Sequence, residues 1–216
     1  MSRVPVPVRH KATGPVDDNF DRIEVGGRVP DWNLYRPRWA NVAVAAFPDA
    51  RNKSLQLEDS DPYDYARAVR VFPEAASVRL SCRIFAKQSN HGRLELELLD
   101  GAGHRAVQVT FDEKGQMQVA NGAQITATGV YRAGAWLRLE IAAANGKFDL
   151  AVDGKTVVQQ AAFAEAASSL ERLSFRTGAY RTEPTRQTDR YAGEDLPEPD
   201  AQVPVATFYI DDVVIK

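Results

Sequence analysis

Two segments of the chain combine aromatic rings with arginine in a way that suits the recognition of sugars. One spans residues 31–39 and offers Trp32 and Tyr35. The candidate residues of the other segment are Arg176, Tyr180, Arg181, Arg186 and Tyr191. Sugar rings present apolar faces that stack on aromatic side chains, and their hydroxyl groups need polar partners. Because the arginine fork matches a carboxylate, the second segment predicts binding of an acidic polysaccharide.

The same residues also have structural interpretations. Trp32 and Trp39 could fill the core or close a hairpin, and Trp136, at an alternating strand position, is predicted to lie in the core. The long aperiodic loop at about 179–204 could hold its arginines and acids in ion pairs with each other. An acidic cluster at residues 59–65 is equally consistent with a turn and with a sugar contact.

The elements that must position these residues are predicted to be β-strands. Hydrophobic residues alternate with polar ones in residues 41–47, 54–58, 78–85, 94–98, 106–111, 136–141 and 148–152, and a further strand is predicted at 206–215. Asn-Gly and Asp-Gly pairs between several of them favour tight antiparallel turns. Residues 30 and 37 are prolines that predict an irregular segment between them, and residues 161–169 could form a helix or an irregular turn.

Composition sets the remaining bounds. The chain has 216 residues, 44% of them hydrophobic, which is enough for one large all-β domain over residues 16–216 with a linker or chain end at 1–15. A net charge of −2 argues against nucleic acid and membrane surfaces as partners. Cys82 is the only cysteine, so no disulfide can form within the chain, and a buried thiol is expected.

Several motifs carry a resemblance to a known superfamily. Residues 131–136 read Tyr-Arg-Ala-Gly-Ala-Trp ahead of a strand pair, and Asp153-Gly154 follows that pair. Together with the acidic stretches at 17–21 and 208–215, they resemble the concanavalin A-like lectin and glucanase (laminin-G-like) superfamily, in particular bacterial modules attached to polysaccharide-degrading enzymes. The resemblance implies an antiparallel β-sandwich of the jelly-roll type and a carbohydrate ligand.

The resemblance also implies a structural calcium ion. The first and last strands of such modules are neighbours, which would bring Asp18 or Asp21 close to Asp211. Carboxylates and main-chain carbonyls are the ligands that Ca²⁺ prefers. Asp211 and Asp212 face opposite sides of an extended strand, so Asp211 is predicted to be the ligand and Asp212 is not. The acids could instead make turn hydrogen bonds.

A catalytic interpretation depends on Glu95 and Glu97. They share one strand face and come nearest to the paired carboxylates of the superfamily's retaining glucanases, which serve as nucleophile and general acid. The middle acid of that signature is Asp in the glucanases and Glu here, and Asp100 belongs to an Asp-Gly turn. A solvent-facing side of an amphipathic strand explains the two glutamates as well.

The sequence therefore predicts a non-catalytic carbohydrate-binding or accessory module of a polysaccharide-degrading system. Two alternatives stay open: a glycoside hydrolase or polysaccharide lyase with a diverged site on the concave sheet, and a structural domain packed on a catalytic partner. The expected partners are a polysaccharide or oligosaccharide and a catalytic domain of a larger enzyme. An extracellular or periplasmic location follows from that function, although the first ten residues do not form a secretory signal.

Overall fold

A computed structural model describes residues 12, 14–178 and 201–216, and these residues form two antiparallel sheets packed face to face. The strands are β1 (Val16–Asp18), β2 (Trp32–Tyr35), β3 (Ala40–Ala45), β4 (Ser54–Asp59), β5 (Arg67–Ala75), β6 (Ser77–Ala86), β7 (Leu94–Leu99), β8 (Arg105–Phe111), β9 (Gln116–Asn121), β10 (Gln124–Val130), β11 (Trp136–Ala144), β12 (Lys147–Val152), β13 (Lys155–Ala162), β14 (Leu170–Thr177) and β15 (Ala206–Ile215). The predicted all-β sandwich is confirmed. None of the described residues is helical, so no helix there could cross a membrane.

The two sheets differ in strand order. The eight-stranded sheet runs β13-β12-β11-β6-β15-β4-β3, with β1 paired to the free part of β15. The seven-stranded sheet runs β10-β9-β8-β7-β14-β5-β2. Strands that neighbour each other in space are often far apart in sequence, as when β15 lies between β6 and β4.

The core lies between the sheets and follows the period-two pattern of the sequence. In β7, Leu94, Leu96 and Leu98 point inward and are fully buried, and in β6 the inward residues include Cys82 and Ile84. Alternate positions then face away from the core, because successive side chains of a strand point to opposite sides of its sheet. The buried thiol expected at Cys82 is confirmed, and burial raises its pKa to about 12.

The structure corrects one local prediction, adds a strand that was not predicted, and decides between two interpretations of a third segment. Residues 32–35 form strand β2 rather than an irregular stretch, because the prolines at 30 and 37 flank this short edge strand without interrupting its pairing with β5. Strand β5, which no alternation signal predicted, lies between β14 and the edge strand β2 of the seven-stranded sheet. Residues 161–169 contain the end of β13 followed by an irregular turn, so the second of the two interpretations is correct.

Candidate carbohydrate-binding site

One row of polar side chains crosses the outward face of the seven-stranded sheet. Strand register places successive members of this polar row opposite one another on β2, β5, β14, β7, β8 and β9. The polar row consists of Tyr35, Arg67, Arg176, Glu95, Thr110 and Gln118. A second row beside it contains Asn33, Ser174, Glu97 and Gln108. The face therefore lines up polar groups from six strands, of which Tyr35 is exposed and Arg176 and Glu95 are buried.

Arg176 and Glu97 form an ion pair at the centre of this face. The Arg176 Nη2 atom lies 3.3 Å from Glu97 Oε1, and both side chains are only 1% exposed. Arg176 also donates to the main-chain oxygen of Gly178, and Ser174 Oγ donates to Glu97. The prediction placed Arg176 among the ligand-binding residues, but the buried guanidinium contacts neighbouring protein groups and acts as a support for the face.

Glu95 is also bonded to neighbouring protein side chains. Its Oε2 atom accepts hydrogen bonds from Thr110 Oγ1 at 2.7 Å and Gln108 Nε2 at 3.0 Å, and Arg93 lies 3.6 Å from its other oxygen. The structure confirms that Glu95 and Glu97 share one face of β7. Because both carboxylates are buried and already bonded to protein donors, the arrangement favours a structural role over an attacking nucleophile and an open general acid.

Tyr35 is the exposed aromatic residue of the polar row. The residue is 47% exposed, and its ring centroid lies 5.5 Å from that of Tyr65, with the two planes tilted by 54°. The Tyr35 hydroxyl donates to Asp64 Oδ2 at 2.9 Å, and this hydrogen bond raises the pKa of Tyr35 to about 12. The contact fixes the ring orientation, so Tyr35 and Tyr65 present a pre-formed apolar surface.

The structure places Trp32 inside the sandwich and Trp136 outside it. Trp32, named both as a candidate binding residue and as a possible core residue, is buried and stacks on Phe175 with 6.1 Å between the ring centroids, so the core interpretation is correct. Trp136, predicted for the core, lies partly exposed on the outer face of the eight-stranded sheet. In β11 the core side is taken by Leu139 and Ile141, and Trp136 has the opposite parity. Parity along β11 was the signal that could have placed it correctly.

A pocket of about 300 Å³ opens at one end of the outward face of the seven-stranded sheet. This loop-end pocket is lined by Asp59, Asp61, His91, Gly92, Arg93 and Glu113, among others. Asp59 accepts a hydrogen bond from Thr177 Oγ1 at 2.6 Å, yet burial dominates and raises the pKa of its carboxyl to about 6. The acidic cluster at 59–65 therefore contributes both a turn, through Asp61, and the wall of a pocket.

The predicted ligand residues Tyr180, Arg181, Arg186 and Tyr191 lie outside the described residues. The same holds for most of the loop predicted at 179–204, of which residues 201–204 are described and exposed. The structure places Arg176 and Tyr35 on one face, separated in the polar row by Arg67.

The terminal aspartates meet only in part as predicted. Strand β1 does pair with β15. Burial raises the pKa of Asp211 to about 6, and the nearby carboxylates of Asp212 and Asp21 contribute to this increase. Asp18 is engaged elsewhere: Arg70 Nε and Trp32 Nε1 donate to its Oδ2 atom. Among the described residues, no three acidic, histidine or cysteine side chains form a group that could hold a metal. Asp21 therefore lies near Asp211, whereas Asp18 is bonded to Arg70 and Trp32 instead.

The loop that carries Asp21 is held by a lysine. Lys53 Nζ donates to the main-chain oxygens of Asp21 and Ile23, each at 2.8 Å, and the Lys53 main-chain NH donates to Asp21 Oδ1. These contacts fix the N-terminal loop against the start of β4.

Comparison with known proteins decides the family. The sequence model of the family described as "Sialidase-like, CBM domain" matches residues 32–192, most of the chain. The chain belongs to the sialidase-like carbohydrate-binding module family. The predicted superfamily resemblance and the carbohydrate-binding class are thereby confirmed. No curated protein sequence matches this module.

Solved structures show the same fold. A sialidase is 30% identical with a TM-score of 0.88, over 99% of this module and 19% of the sialidase chain. The module therefore spans about a fifth of that chain. The Crh5 transglycosylase is 12% identical with a TM-score of 0.61, over 99% of this chain and 88% of that chain. Carbohydrate-binding module CBM66 from Bacillus subtilis is 12% identical with a TM-score of 0.50, over 86% of this chain and 95% of that chain. At these low identities the last two show only a shared jelly-roll fold.

Proposed function

We propose that this module holds a saccharide chain on the outward face of the seven-stranded sheet, with a sugar ring on Tyr35 and Tyr65. The observation that carries the proposal is the exposed, hydrogen-bonded Tyr35 ring beside Tyr65. Aromatic rings fixed in this way offer a large apolar contact at little entropic cost, which suits the apolar face of a sugar.

Polar groups flank the two rings. Arg67, opposite Tyr35 in the register, donates from Nε to Ser174 Oγ and keeps a partly exposed guanidinium 3.7 Å from Glu97. Asp64 stands at the other side, bonded to the Tyr35 hydroxyl. An arginine and a carboxylate beside an aromatic surface supply the donor and the acceptor that sugar hydroxyl groups need.

The wider role follows from the family and from the sequence. We infer that the module is an accessory part of a larger polysaccharide-degrading enzyme, working outside the cytoplasm, and that it favours acidic glycans. The similarity to one segment of a much longer sialidase supports a catalytic partner. The acidic preference is supported by the arginines at 181 and 186, since guanidinium groups pair with carboxylates.

Replacing Tyr35 by alanine is expected to weaken saccharide binding by about tenfold or more, because it removes the stacking surface. Tyr35→Phe keeps the ring and loses only the bond to Asp64, so its affinity should stay within about threefold of the original. Affinity electrophoresis on a panel of neutral and acidic polysaccharides measures both.

Val130→Ala is the control, because Val130 is 75% exposed on the edge strand β10, away from Tyr35. Equal retention of Tyr35→Ala and the original module would refute the proposed site. Release of new reducing ends or of unsaturated products in the same samples would instead establish an enzyme.

We also propose that Asp21 and Asp211 bind a structural Ca²⁺ that joins β15 to the N-terminal loop. At a calcium concentration one hundred times its Kd, the ion would add about 2.7 kcal/mol to the free energy of unfolding. For a domain of this size EDTA should then lower the Tm by roughly 5–10 °C.

Two neighbouring substitutions make this measurement specific. Asp211→Asn should abolish the effect of EDTA on the Tm, because Asp211 is buried at the junction. Asp212→Asn should keep it, since Asp212 points outward to Arg83. An unchanged Tm of the original module in EDTA would rule out the calcium site.

A further inference from the structure

A second concave surface lies on the opposite side of the molecule, on the outward face of the eight-stranded sheet. It is a trough of about 490 Å³ that crosses β15, β6, β11, β12 and β13. The side chains that shape this outer trough are Arg79, Ser81, Arg138, Glu140, Ala151 and Lys216. None of them belongs to the polar row or to the loop-end pocket.

Small residues create the depth of the outer trough. Ser81 and Ala151 lie on either side of Glu140 in the register, and Ala142 lies between Arg79 and Asp149. Short side chains in the middle of three adjacent strands leave a depression, while the longer residues around them form its walls. The volume lies within the range of small-ligand sites.

The walls of the outer trough carry an excess of positive charge. Arg79 is exposed, and no acidic group in the described parts of the chain pairs with it. Lys216 adds another exposed cation at the same end. The acids are already engaged: Glu140 lies 3.1 Å from Arg138, and Asp149 accepts hydrogen bonds from Gln160. The cations of the outer trough therefore favour binding of an anionic ligand.

An aromatic cluster lies at one end of the outer trough. Trp136 precedes Arg138 by two residues, which places it about 7 Å further along the same face of β11. Its neighbours in the cluster are Phe85 at 5.5 Å and Phe47 at 5.9 Å, and Phe47 stacks on Tyr209 at 3.8 Å. Arg83, opposite Arg138 in the register, lies over the Trp136 ring at 4.5 Å, so the partly exposed aromatic surface joins the basic depression through the side chain of Arg83.

We propose that the outer trough is a second ligand site of this module, and that it binds a carboxylate-bearing oligosaccharide. A carboxylate pairs with the guanidinium group of Arg79, and Arg138, which also lies 3.1 Å from Glu140, presents a second planar fork. The sugar rings extend toward the aromatic cluster over about 20 Å, the length of β11 from Trp136 to Ala142. The module then holds saccharide on two opposite faces, and binding two segments of one polymer raises its avidity.

The test uses two substitutions at one position. Ala151 lies on the floor of the outer trough, opposite Glu140, so Ala151→Glu and Ala151→Lys add side chains of similar length and opposite charge. Binding is measured calorimetrically with polygalacturonate and sialyllactose, and with their uncharged counterparts, methyl-esterified polygalacturonate and lactose. Thermal unfolding confirms that both variants are folded.

To isolate the outer trough, each variant is made both in the original module and in the Tyr35→Ala background. Ala151→Glu should weaken binding of a charged saccharide in that background by at least about tenfold, and Ala151→Lys should preserve it. Removal of the carboxylate charge from the saccharide should have the same effect as Ala151→Glu.

Other outcomes overturn the proposal. If neither substitution changes binding, or if no charged saccharide binds to the original module, the outer trough is not a site. If both substitutions weaken binding equally, recognition of the carboxylate is refuted. The proposed Tyr35 site is judged separately: if Tyr35→Ala has no effect and Ala151→Glu abolishes binding, the outer trough stands and the Tyr35 site falls.

Discussion

Arg176→Met is expected to lower the free energy of unfolding by about 3–5 kcal/mol, because it removes the closer of the two cations that neutralise the buried Glu97 carboxylate. The two side chains are each 1% exposed, so water cannot replace the lost partner. The Ser174 hydroxyl would be left as a close donor to Glu97, with Arg67 3.7 Å away. Urea unfolding, followed by tryptophan fluorescence, measures the difference.

Two variants separate burial from charge. Arg138→Met breaks a pair of similar separation, 3.1 Å to Glu140, on the exposed side of the other sheet, and it should cost less than about 1 kcal/mol. The double variant Arg176→Met/Glu97→Met removes both buried charges and should recover much of the stability lost in Arg176→Met. Similar losses in Arg176→Met and Arg138→Met would show that the central pair is not desolvated.

The second large effect is expected at Gly92, where alanine should cost at least about 3 kcal/mol of stability through a combination of overpacking and left-handed backbone strain. A Cβ atom on Gly92 would lie 2.1 Å from the Cβ of Ala206, at the start of β15, and the Gly92 φ is +68°. Either Ala206 or the 88–92 loop must move to accommodate it. Chemical denaturation gives the loss of stability.

Gly26→Ala is the matched control. Its φ is +73°, close to that of Gly92, but no heavy atom lies within 4 Å of the added Cβ. It should therefore show only the backbone strain, about 1–2 kcal/mol. Ala206→Gly in the Gly92→Ala background removes the clashing methyl group and should restore part of the difference. Equal losses at Gly92 and Gly26 would mean that the 88–92 loop shifts freely.

Sequence alone predicted most of the sandwich because its strands bury one face. In β7 and β8 the inward leucines, valines and phenylalanine stand at alternate positions, and the pattern is visible without a structure. Strand β5 was not predicted because its inward side includes Arg70, whose charge is neutralised by Asp18 from β1. The search for alternating hydrophobic residues misses a strand in which a charged residue points inward and is held by an ion pair.

The candidate sites were harder to predict because they are built across strands. Tyr35 meets Tyr65 and Asp64 from a loop about thirty residues later, and Arg176 meets Glu97 from a strand 79 residues earlier. Chemistry suggested Tyr35 and Arg176 as candidates in two separate segments, and only the register shows that they share one face, with Tyr35 exposed and Arg176 buried. The sequence did not mark Arg79 and Arg138 as binding residues, since charged residues are common at outward positions of strands.

The position of β15 also bears on how the module is synthesised. Strand β15 lies between β6 and β4 and also pairs with β1. The first strand of the chain therefore cannot pair until the last one has been synthesised. During translation β6 and β4 remain open edges until residue 215 has left the ribosome, and open edges invite pairing with other chains. In a longer polypeptide this sheet would therefore close in one late step, and its two inner strand edges would stay exposed through nearly the whole synthesis of the module.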